Sequence, residues 1–413
     1  MTTVVDRAAP ARNEHMTFRA NMGAGRHGWL RLTPAYGVRL VRDRISHLPE
    51  GSVITDPFSG TGTTPLAAAE LGHFGQSVDV NPFLVWLGTV KTSRYSPKTL
   101  LAAVDAARDV VAAARAHRRD DDLWQPDIFR IEKWWSPGAL HALKALRASI
   151  DRYEGQVRDL LEVSLCRSLI SCSNAAFNHQ SMSFKDRAGE PAIFDIDDAT
   201  QTFAVFGQEM ASVVESARYD LLGSAGIHQG DSREGVKALK EADLVLTSPP
   251  YVNRMSYIRE LRPYMYWLRY LDLASDAGDL DWRAIGGTWG TATSKLKSWK
   301  PETGTPVDEA MRAVCDRIAE DGGRNGPLLS AYVHKYHHDM WLHFQAVTPT
   351  LKRGGAVSYI VGNSTFYTHE VPVQEWYAAM LRELGYEDVK VEIIRKRNSN
   401  KALFEYEVTG IRP

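Results

Sequence analysis

The stretch Ser52-Val-Ile-Thr-Asp-Pro-Phe-Ser-Gly-Thr-Gly-Thr63 decides the fold. Ser52–Thr55 is a short apolar run that reads as a buried strand. Asp56–Thr63 is a glycine-rich turn. Pro65-Leu-Ala-Ala-Ala-Glu-Leu71 reads as a helix closed by Gly72, and a second strand ends at Val78-Asp79. Strand, glycine-rich loop, helix, strand, acid is the opening of a doubly wound α/β sheet that binds a nucleotide.

The loop narrows the ligand. Gly60 and Gly62 have no side chain to keep a ligand from the backbone N–H groups and the helix N-terminus. Asp79, at the end of the second strand, can accept both hydroxyls of a ribose. Asp56 is expected to pair with a ligand ammonium. A dinucleotide needs its pyrophosphate on a GxGxxG turn, but Thr63-Thr-Pro65 follows Gly62. A nucleoside carrying an amino-acid group is favoured, and S-adenosyl-L-methionine fits, with adenosine at Asp79 and ammonium at Asp56.

A second loop carries chemistry. Thr247-Ser-Pro-Pro-Tyr251 follows the apolar run Asp243-Leu-Val-Leu246. Two prolines fix the backbone and remove two N–H donors, so the loop offers acceptors, namely carbonyl oxygens and the Ser248 hydroxyl. An exocyclic NH2 on a base is a poor nucleophile because its lone pair is delocalised. Acceptors that hold its hydrogens localise that lone pair for in-line attack on a methyl group. Tyr251 offers a flat face for a base extruded from a duplex.

These residues resemble the amino-methyltransferase family of DNA-modifying enzymes. Asp56-Pro-Phe-Ser-Gly-Thr-Gly-Thr63 is similar to the family's cofactor motif and Asp79-Val-Asn-Pro82 to its ribose motif. Asp231 falls where the family has an acid near the adenine. His27-Gly-Trp-Leu-Arg-Leu-Thr-Pro34 resembles the segment that closes over the methionine end. Ser248-Pro-Pro-Tyr251 is similar to the catalytic motif. The resemblance implies a class I methyltransferase fold, a mostly parallel sheet with an antiparallel last strand. It implies cofactor contacts from Thr33, Asp56, Phe58, Gly60, Thr61, Gly62, Thr63, Asp79, Asn81 and Asp231, and catalysis by Ser248, Pro249, Pro250 and Tyr251. A serine at the first catalytic position tilts the expected target to cytosine N4 in double-stranded DNA, with adenine N6 the runner-up. An RNA base and a non-catalytic nucleic-acid-binding subunit are the further alternatives. A restriction or phage-defence partner is compatible with the family.

Extra sequence interrupts this core. After a loose tail (1–22), the core is expected over 23–95, 223–273 and 331–413. A helical insertion (96–222) starts at Ser96-Pro97, restarts at Ser136-Pro137 and has a third helix over Val157–Ile170. A second insertion (274–330), rich in Gly, Thr, Asp and Trp, is expected to be loop-rich. One or both insertions must read the DNA. Val389–Arg397 and Phe404–Ile411 predict an antiparallel hairpin.

Composition bounds the rest. The apolar fraction of 44% and charged fraction of 24% fit a globular protein, and no apolar run reaches a membrane span. Three unpaired cysteines and a charged N-terminus point to the cytoplasm. A net charge of −1 means that any DNA-binding surface is a local patch, with Lys295–Lys300 and Arg395–Lys401 as candidates. The polar run Ser173–Ser181 is a further candidate for DNA contact, as are Asn253, Arg254 and Tyr257. His334, His337, His338 and Asp339 have helical spacing but no cysteine or HExxH context, and no metal is expected.

Overall fold

In a computed structural model of the chain, seven strands form one sheet. The structure describes residues 17–32, 35–117, 122–176, 183–184, 197–235, 239–252, 256–288, 291–397 and 402–413. In chain order the strands are β1 (Val53–Asp56), β2 (Phe74–Asp79), β3 (Ser224–Gln229), β4 (Ala242–Thr247), β5 (Leu351–Gly362), β6 (Glu387–Lys396) and β7 (Phe404–Ile411). Their order across the sheet is β6-β7-β5-β4-β1-β2-β3. The pairs from β5 to β3 are parallel, and β7 runs antiparallel to both β5 and β6. The order reverses between β1 and β4, which opens a crevice beyond their carboxyl ends. This is the class I methyltransferase topology with its antiparallel last strand.

Helices α1 (Val38–Ile45) and α2 (Thr63–Glu70) bury Val41, Ile45, Ala67 and Ala68 against Ile54, Leu244 and Leu246 of the central strands. Helix α3 (Pro82–Thr92) begins with proline, and the Asn81 side chain accepts from the Phe83 N–H at 3.0 Å. Helices α4 (Pro97–Ala116) and α5 (Pro137–Ile150) start in the same way, capped by Ser96 and Ser136. With α6 (Gly155–Ser171) and α7 (Asp198–Ala217) they make the helical insertion. It is not a detached module. Leu143, Leu161 and Phe206 share one core with Phe83 and Leu87 of α3 and with Leu261 and Met265 of α8 (Tyr257–Trp267), so the insertion braces both sides of the crevice.

The second insertion is not loop-rich as expected. It holds α9 (Ala274–Arg283), a short helix Thr291–Leu296 and α10 (Asp308–Asp321). Met311, Val314, Cys315 and Ile318 recur at helical spacing on α10 and are buried. They pack with α11 (Gly326–Val347), whose Met340 and Phe344 continue the core to Tyr359 of β5 and to Tyr377 of α12 (Val373–Glu383).

Candidate active site

The crevice is lined by both loops. Phe58, Gly60, Thr61, Thr63, Asp79 and Asn81 form one wall, Asp231 and Ser232 follow β3, and Ser248, Pro250 and Tyr257 form the other wall. Gly60 and Gly62 have φ of 50° and 74°, which lets the loop turn back on itself before α2. A Cβ on Gly62 would lie 3.2 Å from the Gly88 Cα, so this glycine also lets α2 and α3 approach. The loop is tied to β2, since the Ser59 N–H donates to the Val78 carbonyl at 2.9 Å and the Ser77 hydroxyl meets that of Ser59 at 2.8 Å.

Asp79 faces the cavity and is pre-oriented. Its two oxygens accept from the Gly60 and Asn81 N–H groups, each at 2.9 Å. Loss of water raises its carboxyl to about 7, against those two hydrogen bonds. A diol donating to it would hold it ionised. With the free first-turn N–H groups of α2 at Thr63, these residues fit S-adenosyl-L-methionine. Asn81 serves mainly as the cap of α3. Thr33, expected at the methionine end, lies outside the described residues.

Asp56 requires a correction. It was expected to meet a ligand ammonium, but it does not line the cavity and is 1% exposed. One oxygen accepts from the Thr247 hydroxyl at 2.6 Å and the Phe58 N–H at 3.0 Å, the other from Thr64 at 2.7 Å and Tyr36 at 3.4 Å. Burial raises its carboxyl to about 6 against all four. Asp56 therefore joins the cofactor loop to the strand that carries the catalytic loop. A carboxylate this occupied has little left for a ligand.

Asp231 lines the cavity, but Arg233 holds it in a fork at 2.9 and 2.5 Å. Burial would raise its carboxyl, and Arg233 instead brings it below its ordinary range. Arg233 also pairs with Asp339 at 3.1 Å, and Lys335 pairs with that same residue at 2.5 Å. Asp339 thus belongs to an ion-pair network. His337 is buried against the Val333 carbonyl at 2.8 Å. Among the described residues, no three His, Cys, Asp or Glu side chains converge as a metal group would.

In the catalytic loop, the Pro250 carbonyl accepts from the Tyr336 hydroxyl at 2.6 Å, and Tyr336 meets Tyr377 at 2.7 Å. The Tyr251 N–H donates to the Tyr257 hydroxyl at 3.0 Å, and the Tyr251 phenol donates to Glu405 at 3.2 Å. These contacts clamp the loop at Pro250 and Tyr251. The Ser248 hydroxyl stands at the cavity wall, within hydrogen-bond reach of the Tyr251 phenol.

Sequence reasoning passed over three of these supports. Tyr336 has the helical setting of α11 as its signal, and Tyr257 carried a reading only as a DNA contact. Glu405 has no local signal. Arg283, Ala284 and Ile285 bring the second insertion to the cavity rim. Of the DNA-contact candidates, Lys295 pairs with Asp279 at 3.2 Å and Arg395 forks onto Glu405 at 2.5 and 2.7 Å. Ser173 is buried and donates to the Trp134 carbonyl at 3.1 Å, while 177–181 of that run, Asn253 and Arg254 lie outside the described residues.

The fold is that of a class I methyltransferase, and the crevice fits S-adenosyl-L-methionine as its cofactor. The chain is a homologue, at modest identity, of type II methyltransferases. It is 20% identical to the type II methyltransferase M.BsoBI of Geobacillus stearothermophilus, with 97% of this chain and 86% of that protein aligned. It is 24% identical to M.AvaI of a Nostoc species and of Anabaena variabilis, over 59% of this chain and 54% of theirs, so the match spans about half of M.AvaI. No protein-family model matches the chain. A solved rRNA methyltransferase, aviRa from Streptomyces viridochromogenes, aligns over 98% of this chain and 95% of its own at 12% identity and a TM-score of 0.29.

Proposed function

We propose that the chain methylates the exocyclic N4 amino group of cytosine in double-stranded DNA, with the target base flipped out of the helix. The observation that carries this reading is the single crevice holding both Asp79 and Ser248, with the Pro250 carbonyl already taken by Tyr336. S-adenosyl-L-methionine supplies an electrophilic methyl group. Gly60, Thr63 and Asp79 hold it, and Phe58 walls it. The Ser248 hydroxyl and the Pro249 carbonyl each accept one hydrogen of the target NH2 and localise its lone pair. No strong base is required before attack, because the amino proton becomes acidic only once the methyl has joined. Serine at position 248 favours cytosine over adenine through its likeness to the N4 motif. The kinship with type II methyltransferases supports DNA as the substrate and a restriction nuclease as a genetic partner.

The test is nucleoside mass spectrometry of DNA and RNA from a methylase-free bacterial host expressing the chain or its Ser248→Ala variant. N4-methylcytosine in DNA is expected, reduced about a hundredfold to a thousandfold by the substitution, the range for losing one transition-state hydrogen bond. N6-methyladenine would overturn the base assignment. A mark confined to RNA, or no mark, would overturn the DNA reading.

A further inference from the structure

Arg397 sits where the proposed reaction does not yet use it. It follows β6, and its guanidinium carbon lies 5.7 Å from the centroid of the Tyr251 ring. One Nη donates to the Asn363 carbonyl, and the Nε is buried with no partner. The neighbouring carboxylate, Glu405, is already forked by Arg395 and accepts from the Tyr251 phenol. No carboxylate pairs with Arg397 among the described residues. Burial without an ion partner lowers its pKa. An unpaired, partly desolvated guanidinium is a cost to the fold unless a ligand uses it.

The space around it is built. A Cβ on Gly362 would stand 3.0 Å from the Arg397 guanidinium and 3.1 Å from the Tyr251 ring, so the glycine makes room for both. No other aromatic ring stacks on Tyr251 among the described residues, and Arg397 is the group over it. A stacked contact takes about 3.5 Å, so a flat base between ring and guanidinium needs about 7 Å. The observed 5.7 Å is within the range of a cation–π contact and a little over 1 Å short of the separation that an intervening base needs. A side chain tethered by one hydrogen bond covers that distance by a small rotation.

We propose that Arg397 is the second jaw of the target-base site: the extruded base stacks between the Tyr251 ring and the Arg397 guanidinium plane. The inference rests on the base-methylating reading above and adds a positioning residue to it. Arginine planes stack on unpaired bases as aromatic rings do, and they keep their charge when partly desolvated. The partner is a base and not a phosphate, because the guanidinium lies over the ring that follows the catalytic acceptors. Arg397 acts on turnover by holding the base plane while Ser248 and Pro249 hold its amino group.

The experiment measures radiolabelled methyl transfer to unmethylated plasmid DNA by wild type, Arg397→Ala and Arg397→Lys across a salt series. Affinity for S-adenosylhomocysteine serves as the control for folding. Arg397→Ala is expected to lower kcat about tenfold with cofactor affinity and the salt slope of DNA binding unchanged, and lysine, which has charge but no plane, is expected not to restore it. Rescue by lysine, or a fall of about one in the slope of log affinity against log salt, would reassign Arg397 to a phosphate and overturn the proposal. Unchanged turnover in both variants, or lost cofactor affinity in both, would overturn it as well. Wild type that labels no DNA would refute the parent reading and this one with it.

Discussion

Cofactor affinity should depend on pH through one carboxylate. Asp79 lines the crevice, and loss of water raises its carboxyl to about 7 in the unliganded protein. A diol that donates to both oxygens needs the ionised form, so binding must release the proton that the free protein holds below that value. Linkage then fixes the sign. Association weakens tenfold for each pH unit below about 7 and is flat above it, a loss of about 1.4 kcal/mol per unit. The same shift sets the pH dependence of the fold. A raised carboxyl contributes most to unliganded stability in acid, and that contribution is lost as the pH rises through about 7. Cofactor binding offsets the loss at neutral pH. Isothermal titration with S-adenosylhomocysteine, whose own groups keep their charge between about pH 5.5 and 8, reads this directly. Asp79→Asn should abolish the slope and weaken binding about tenfold to a hundredfold. It removes a charge-assisted acceptor and sets an NH2 against the Gly60 or Asn81 N–H. A flat profile in wild type, or a slope that survives in Asp79→Asn, would refute the reasoning.

Two further outcomes follow from buried polar groups beside the crevice. Thr247→Val removes the 2.6 Å hydrogen bond to Asp56 and leaves a buried carboxylate one donor short. It should cost about 1–3 kcal/mol in urea unfolding and weaken both cofactor affinity and turnover. Lys91 is wholly buried, and its ammonium donates to the Thr61 carbonyl of the cofactor loop at 2.9 Å. Burial lowers it from 10.5 to about 7, so its contribution to stability is present above 10.5 and declines as the pH falls toward 7. The stability of wild type minus that of Lys91→Met should therefore rise across this window, by up to about 1.4 kcal/mol per pH unit, and a flat difference would count against the burial account.

What could be read from the sequence was what is contiguous in it. Gly60, Gly62 and Asp79 lie within one strand-loop-helix-strand unit, and Ser248–Tyr251 is one loop after one strand, so local pattern located both. The N-caps Ser96 and Ser136, each followed by proline, marked two helices of the insertion for the same reason. The true role of Asp56 was hidden because its strongest partner, Thr247, is 191 residues away. Glu405 is 154 residues from the tyrosine it holds, and no local rule joins them. The second insertion is a different case. Met311, Val314, Cys315 and Ile318 carry a helical period, but the glycine-, threonine- and tryptophan-rich sequence before them suggested loops. There the signal was present and composition outweighed it.

The reassignment of Asp56 changes how the two motifs relate. Read separately, one motif binds the cofactor and the other the base, and each would tolerate change without the other. In the folded chain a single carboxylate accepts from Thr64 at the start of α2 and from Thr247 at the end of β4, the residue before Ser248. The carboxyl ends of β1 and β4 are adjacent in the sheet, so this bond spans the point where strand order reverses. Transfer between two ligands requires their reacting atoms to be held about 3–3.5 Å apart, and misplacement by 1 Å is costly. A buried carboxylate shared by both loops fixes that separation more firmly than packing alone, because moving either loop strands a desolvated charge. The acid that the sequence offered as a contact for the ligand is better understood as the gauge between the two halves of the site.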